Sequence, residues 1–206
     1  RYTVETMQVP SSVLMERAAL AVAGAVKDAF GSRARVLVVC GSGNNGGDGF
    51  AEARMLLLEW IAADVFFAGK ESSMTEETAL QKKIFENYGG KLCRNFVPHE
   101  YTVLVDALFG IGLSREVTGT YAALIGRINQ ASLPVVAVDM PSGISADTGR
   151  VMGTAVRADL TVTFAFPKLG QILYPGTEYC GRLLVEDIGI TDRGLDGKQK
   201  RTMAFC

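Results

Sequence analysis

Apolar and polar positions along this chain follow two rhythms. Short, nearly continuous apolar runs occur at 36–40, 62–67, 101–106, 134–139, 160–166 and 183–186, several of them rich in β-branched residues. Runs of this length and type suit strands buried on both faces of a parallel sheet. Longer stretches of good helix formers lie between them. The first covers 12–30, with Ser12 as its expected N-cap and Gly31 as its stop. Others follow Phe50, run from Thr75 to Tyr88 before Gly89-Gly90, and run from about Thr118 to Asn129, while Lys91 to Arg94 adds a short strand. Strands alternating with helices at this spacing imply right-handed crossovers. The expected class is α/β, a three-layer Rossmann-like fold with a largely parallel central sheet and helices on both faces. Residues 1–190 read as one domain and 191–206 as a polar tail.

The link after the first strand stands out. It reads Gly41-Ser42-Gly43-Asn44-Asn45-Gly46-Gly47-Asp48-Gly49-Phe50. Five glycines in ten residues admit positive φ and close approach of a ligand. The free N–H groups of a helix starting after them would seat a phosphate or another anion. Gly41-x-Gly43-x-x-Gly46 formally matches the dinucleotide fingerprint. A tight turn whose glycines serve packing alone is the plainer alternative. No Lys followed by Ser or Thr stands where a nucleotide-phosphate loop needs it. The second strand carries Asp64 inside and no acid at its end, which argues against an ordinary dehydrogenase.

Three strand ends deliver polar groups to one sheet edge, where open parallel sheets bind ligands. They are Asn44, Asn45 and Asp48, then Asp106, then Asp139 and Ser142. Any single acid of this kind could merely cap a helix or solvate a loop; together they form a constellation. Oxygen donors gathered without a Cys or His cluster suit a hard or alkali cation and not zinc. A carboxylate among apolar walls could act as general acid and base. The single histidine, His99, lies outside these loops and reads as a surface residue, so no catalytic triad can be drawn.

Charge narrows the partners. With 21 basic and 22 acidic residues among 206, no broad electrostatic hold on nucleic acid or membrane is expected. Apolar stretches break off before the ~20 residues a spanning helix needs. Cys40, Cys93, Cys180 and Cys206 lie far apart without a CxxC pair and read as reduced thiols, so the expected location is cytoplasmic. The chain opens on Arg1, which leaves a removed targeting segment open.

The stretch from Val36 to Phe50 resembles the signature of the YjeF N-terminal domain family, the NAD(P)HX epimerases. The likeness continues through Leu14-Met15-Glu16-Arg17-Ala18, Val105 to Gly110, Val138 to Gly143 and Pro167-Lys168-Leu169-Gly170, and it ends near Ile190. Ala19, Ala51, Glu52, Met55 and Thr191 depart from the family's usual residues. The resemblance implies interconversion of the R and S forms of hydrated NADH or NADPH at C6 of the nicotinamide ring. A separate ADP- or ATP-dependent dehydratase then acts on the S form, and a homodimer is implied. By the same resemblance Asn44, Asn45, Gly46, Gly47, Asp48, Gly110, Ile111, Gly112, Leu113, Ser114, Arg115 and Glu116 contact substrate, and Asp139 is the catalytic group at its reacting end. Asn45, Asp106 and Ser142 would hold a potassium ion. Direct expulsion of the C6 hydroxyl and opening of the ring are both open routes. The rival reading is a non-catalytic dimeric scaffold of the same fold, as serves in RNA decapping and apolipoprotein binding.

Overall fold

The computed structural model describes residues 2–191 and residue 193, so the expected tail lies outside the described residues apart from Thr191 and Arg193. A short helix, α1 (Tyr2–Glu5), leads into α2 (Ser11–Phe30). Helix α2 starts ahead of the expected cap: Pro10 holds that place, and its carbonyl accepts from Val13 N and Leu14 N. It ends as expected, where Gly31 turns to φ 77°. The elements that follow are β1 (Arg35–Cys40), α3 (Asn44–Leu58), β2 (Ala62–Phe67), α4 (Glu76–Asn87), β3 (Lys91–Leu92) and β4 (Val103–Ala107). The chain goes on through α5 (Gly119–Gln130), β5 (Val135–Val138), β6 (Leu160–Phe164), α6 (Leu169–Ile172) and β7 (Arg182–Glu186).

The strands form one seven-stranded sheet in the order β3-β2-β1-β4-β5-β6-β7, and every neighbouring pair is parallel. From β1 the chain moves toward one edge; from β4 it moves toward the other. The carboxyl ends of β1 and β4 therefore flank a topological switch point, where such sheets open a crevice.

Alternation along β1 shows why its apolar run is unbroken. Val36, Val38 and Cys40 pack with α2, α3 and α4, including Phe50 and Phe85, whereas Leu37 and Val39 face Leu124, Ile125 and Ile128 of α5. Both faces are covered, which makes three layers. On the first face Arg54 Nη2 donates to both Glu16 oxygens at 2.8 and 2.6 Å, and Gln81 Nε2 donates to Glu16 Oε1 at 2.8 Å. One carboxylate thus joins α2, α3 and α4 directly over the core.

Strands β3 and β6 end two residues short of the stretches expected for them. Pairing of β3 stops at Leu92, and β6 stops at Phe164 because Ala165 takes φ 62° and Phe166 N turns back to Phe164 O at 2.7 Å. Among the described residues no helix is long and apolar enough to cross a membrane.

Candidate active site

Helix α3 begins at Asn44, so the polar residues of the glycine-rich link belong to its first turns and not to a loop before it. None of Gly41, Gly43, Gly46, Gly47 and Gly49 is among the described residues with positive φ. The reason for most of these glycines is contact. A Cβ on Gly46 would stand 2.0 Å from Gly41 O, one on Gly41 would stand 2.2 Å from Leu108 O, and one on Gly49 would stand 2.6 Å from Ala107 Cβ. The helix start is wedged onto the ends of β1 and β4, closer than any side chain permits. Packing is therefore what these glycines do for the backbone, and its result is chemical. Gly43 occupies the N-cap with no side-chain cap bond, which leaves N–H groups of the first turn free to meet an anion. Thr78 Oγ1 holds Gly43 O at 2.9 Å, and Thr75 caps α4 beside it.

A cavity of about 730 Å³ opens at this point. Asn44, Asn45, Asp48, Asp139 and residues 110–115 line it, and so do Gly43, Thr75, Leu108 and Phe109. Three expected contacts fall elsewhere. Gly46 is buried against the Gly41 backbone and Gly47 against Met15 and Thr78, so neither lines the cavity. Glu116 faces an adjoining cavity of about 590 Å³, shared with Lys70 and Arg115. The structure thus brings the three strand ends to one crevice, while placing part of the glycine motif behind its wall.

Asp139 follows β5 with φ 64°, and Met140 N donates across it to Val138 O at 2.8 Å. A non-glycine residue held in this region is strained by about 1–3 kcal/mol, as often occurs where a side chain must be aimed. The carboxylate is aimed at a cluster that was missed. Lys168 Nζ lies 2.5 Å from Asp139 Oδ1, 2.6 Å from Thr163 Oγ1 and 3.2 Å from Phe164 O. Thr163 Oγ1 donates to the same Asp139 oxygen at 3.1 Å, and Gln171 Nε2 donates to Asp139 O at 2.6 Å. All of these contacts use Oδ1 or the backbone. The signal for Lys168 was its place just beyond the end of a buried strand, in Pro167-Lys168-Leu169-Gly170.

Asp106 and Ser142 meet beneath the cavity, both buried. Ser142 donates to Asp106 through Oγ at 2.6 Å and through its N–H at 2.8 Å, and Leu108 N adds a third donor at 3.2 Å. Burial raises the Asp106 carboxyl to about 6 against these three donors, which pull it down. Every partner is neutral. The Asn45 side chain lies over Gly110, and its amide nitrogen is buried without a partner.

Asp48 is half-buried on the cavity wall, where burial and then the charge of Asp139 push its carboxyl well above the usual carboxylate range. One helical turn on, Glu52 is fully buried with no hydrogen-bond partner for either oxygen, and burial followed by Asp48 pushes it up as well. Cys40 lies below, its thiol raised by burial, then Glu52, then Asp48. An acid raised in the folded state loses stability as pH climbs above its ordinary 4.5. Glu52→Met is therefore expected to stabilise the protein by about 1–3 kcal/mol at pH 7, with the gain shrinking toward pH 4. Thermal unfolding of both proteins at the two pH values is the check, and an unchanged midpoint at pH 7 would refute it.

The sequence profile described as YjeF-related protein N-terminus matches residues 11–170. The chain belongs to this family. Among its relatives, an NAD(P)H-hydrate epimerase of Oenococcus oeni is 47% identical over 191 residues, covering 92% of this chain and 91% of the relative. A bifunctional NAD(P)H-hydrate repair enzyme of Moorella thermoacetica is 40% identical over 198 residues, which cover 90% of this chain but 37% of that protein. Of solved structures, yeast ynu0 superposes with a TM-score of 0.75 at 23% identity, over 90% of this chain and 83% of that one, and shares the fold.

Proposed function

We propose that this protein is an NAD(P)H-hydrate epimerase, an isomerase that interconverts the R and S forms of hydrated NADH and NADPH at C6. The observation that carries the reading is one cavity joining the uncapped N-terminus of α3 to the ion-paired Asp139. The free amides at Asn44 and Asn45 receive the diphosphate, and the 110–115 loop folds over the dinucleotide. Asp139 then faces the hydrated nicotinamide ring. Its Oδ1 is occupied by Lys168 and Thr163, so Oδ2 is the oxygen left for the substrate. The C6 hydroxyl sits next to the ring nitrogen, whose lone pair helps expel it once it is protonated. Water then adds to the other face, and a carboxylate accepts its proton. The S form is substrate for a dehydratase, and the Moorella protein, whose name is bifunctional, supports placing the two activities in sequence.

Asn45, Asp106 and Ser142 fit a potassium ion. Asp106 is a buried carboxylate with only neutral donors around it, and an Asn45 amide turned over would set its oxygen where the nitrogen now lacks a partner. Asn45, Asp106 and Ser142 would hold such an ion between the ends of α3, β4 and β5, and it would supply positive charge at the site. Replacing potassium in the buffer by tetramethylammonium is expected to slow epimerisation about tenfold and to lower the thermal midpoint. Equal rates and midpoints in the two buffers would remove the ion from the reading.

The test of the function is proton NMR of enriched (R)-NADHX in potassium buffer with and without the protein. Equilibration far above the spontaneous rate establishes the epimerase. Binding of the dinucleotide without acceleration would instead favour a scaffold that keeps the pocket and not the reaction.

A further inference from the structure

We propose that Asp48 is a second catalytic residue, the acid–base group for one face of the nicotinamide ring, while Asp139 serves the opposite face. The proposal rests on the epimerase reading above. Its geometric basis is that Asp48 and Asp139 are the two carboxylates lining the 730 Å³ cavity. They enter from different layers: Asp48 from the second turn of α3, Asp139 from the turn after β5. A ring admitted between the helix and the strand end would present one face to each group.

The two carboxyls differ in their surroundings. Asp139 is paired with the Lys168 ammonium and accepts from Thr163, with its backbone carbonyl held by Gln171. Asp48 has no ion-pair partner and no hydrogen-bond donor among the described residues; one turn along α3 lies Glu52, itself buried and unpartnered. Asp48 stands between Glu52, which feels its charge, and Asp139, whose charge it feels, and Arg115 lines the same cavity. Lys168 pairs with Asp139, and Asp48 has no such partner. Burial and the nearby Asp139 charge raise Asp48 accordingly. A pair of carboxyls whose environments differ in this way divides into an acid and a base.

The step then balances. Asp48 gives its proton to the C6 hydroxyl, the C6–O bond breaks, and water leaves as the N1 lone pair closes an N1=C6 double bond. A second water adds to C6 from the other face and loses its proton to Asp139, and the N1 electron pair is restored. For the other epimer the two groups exchange roles. Inversion needs both faces, and one carboxyl alone can only return water to the side from which it left.

The experiment incubates (R)-NADHX and (S)-NADHX separately in oxygen-18 water and follows label at C6 by mass spectrometry and configuration by NMR. Wild-type protein is expected to take up label and epimerise together. Asp48→Asn should epimerise at least 100-fold more slowly, yet one epimer should still exchange its oxygen more than ten times faster than it inverts. Asp139→Asn should leave that exchange to the other epimer. Asp48→Glu keeps an acid on the same turn and should recover at least tenfold over Asp48→Asn. The proposal is overturned by exchange and inversion falling in step for both epimers, by Asp48→Asn within threefold of wild type, or by a Glu variant no better than Asn. Wild-type inversion without label uptake also overturns it, pointing to ring opening, and leaves the epimerase intact. A wild-type protein that accelerates neither epimer refutes the function itself.

Discussion

Replacing Asp139 by Asn is expected to lower kcat by about 10³-fold while dinucleotide binding stays within a few-fold of wild type. The contrast follows from where the residue sits. Asp139 takes φ 64° in a three-residue turn, a region that Asn tolerates nearly as well as Asp. The Asn amide oxygen can accept from Lys168 and Thr163, and the backbone carbonyl keeps its bond from Gln171. Backbone and cavity shape should therefore persist, and only the ability to exchange a proton is lost. Turnover by NMR and binding by calorimetry with NADP separate the two quantities. A variant with near-normal turnover would end the assignment of Asp139 as the reacting group.

Gly46→Ala is expected to destabilise the protein by about 3 kcal/mol, a fall of about 6–12 °C in thermal midpoint for a domain of this size. The added Cβ would stand 2.0 Å from Gly41 O. That neighbour is backbone, anchored through Gly41 N to Ala107 O at 3.0 Å at the end of the sheet, so no side chain can rotate away. Relief requires α3 to lift from β1 and β4. Such movement would shift Asn44, Asn45 and Asp48 together, so substrate affinity should fall with stability. By comparison, a Cβ on Gly43 meets nothing within 4 Å, and Gly43→Ala should change the midpoint by less than 2 °C or so. Equal shifts for the two variants in a thermal scan would show that close approach is not what Gly46 provides.

Much of the architecture was legible in the chain because it is written in near neighbours. The unbroken run Val36-Leu37-Val38-Val39-Cys40 identifies a strand covered on both faces, and the structure covers it on both. Polar residues after three such runs mark the functional edge of a parallel sheet, and Asn44, Asn45, Asp48 and Asp139 do line its cavity. The start of α3 was less legible. Asn and Gly are weak helix formers, and their expected place is a turn; burial against the ends of β1 and β4 overrides that preference. For the same reason the glycine motif suggested positive φ, although its actual role is contact with backbone that lies more than sixty residues away at Leu108.

The sequence by itself determined the fold class, the sheet edge at which the cavity opens and most of the side chains that line it. Hydrophobic period and turn residues act over a few positions, and parallel pairing then places all strand ends on one side. Only the tertiary structure decided what each acid touches. Asp139 meets Lys168 across 29 positions and Asp106 meets Ser142 across 36, by way of sheet register and turns that no local pattern encodes. Those partners decide the chemistry: burial among neutral donors raises Asp106, burial with Asp139 nearby raises Asp48, and Lys168 and Thr163 occupy one oxygen of Asp139.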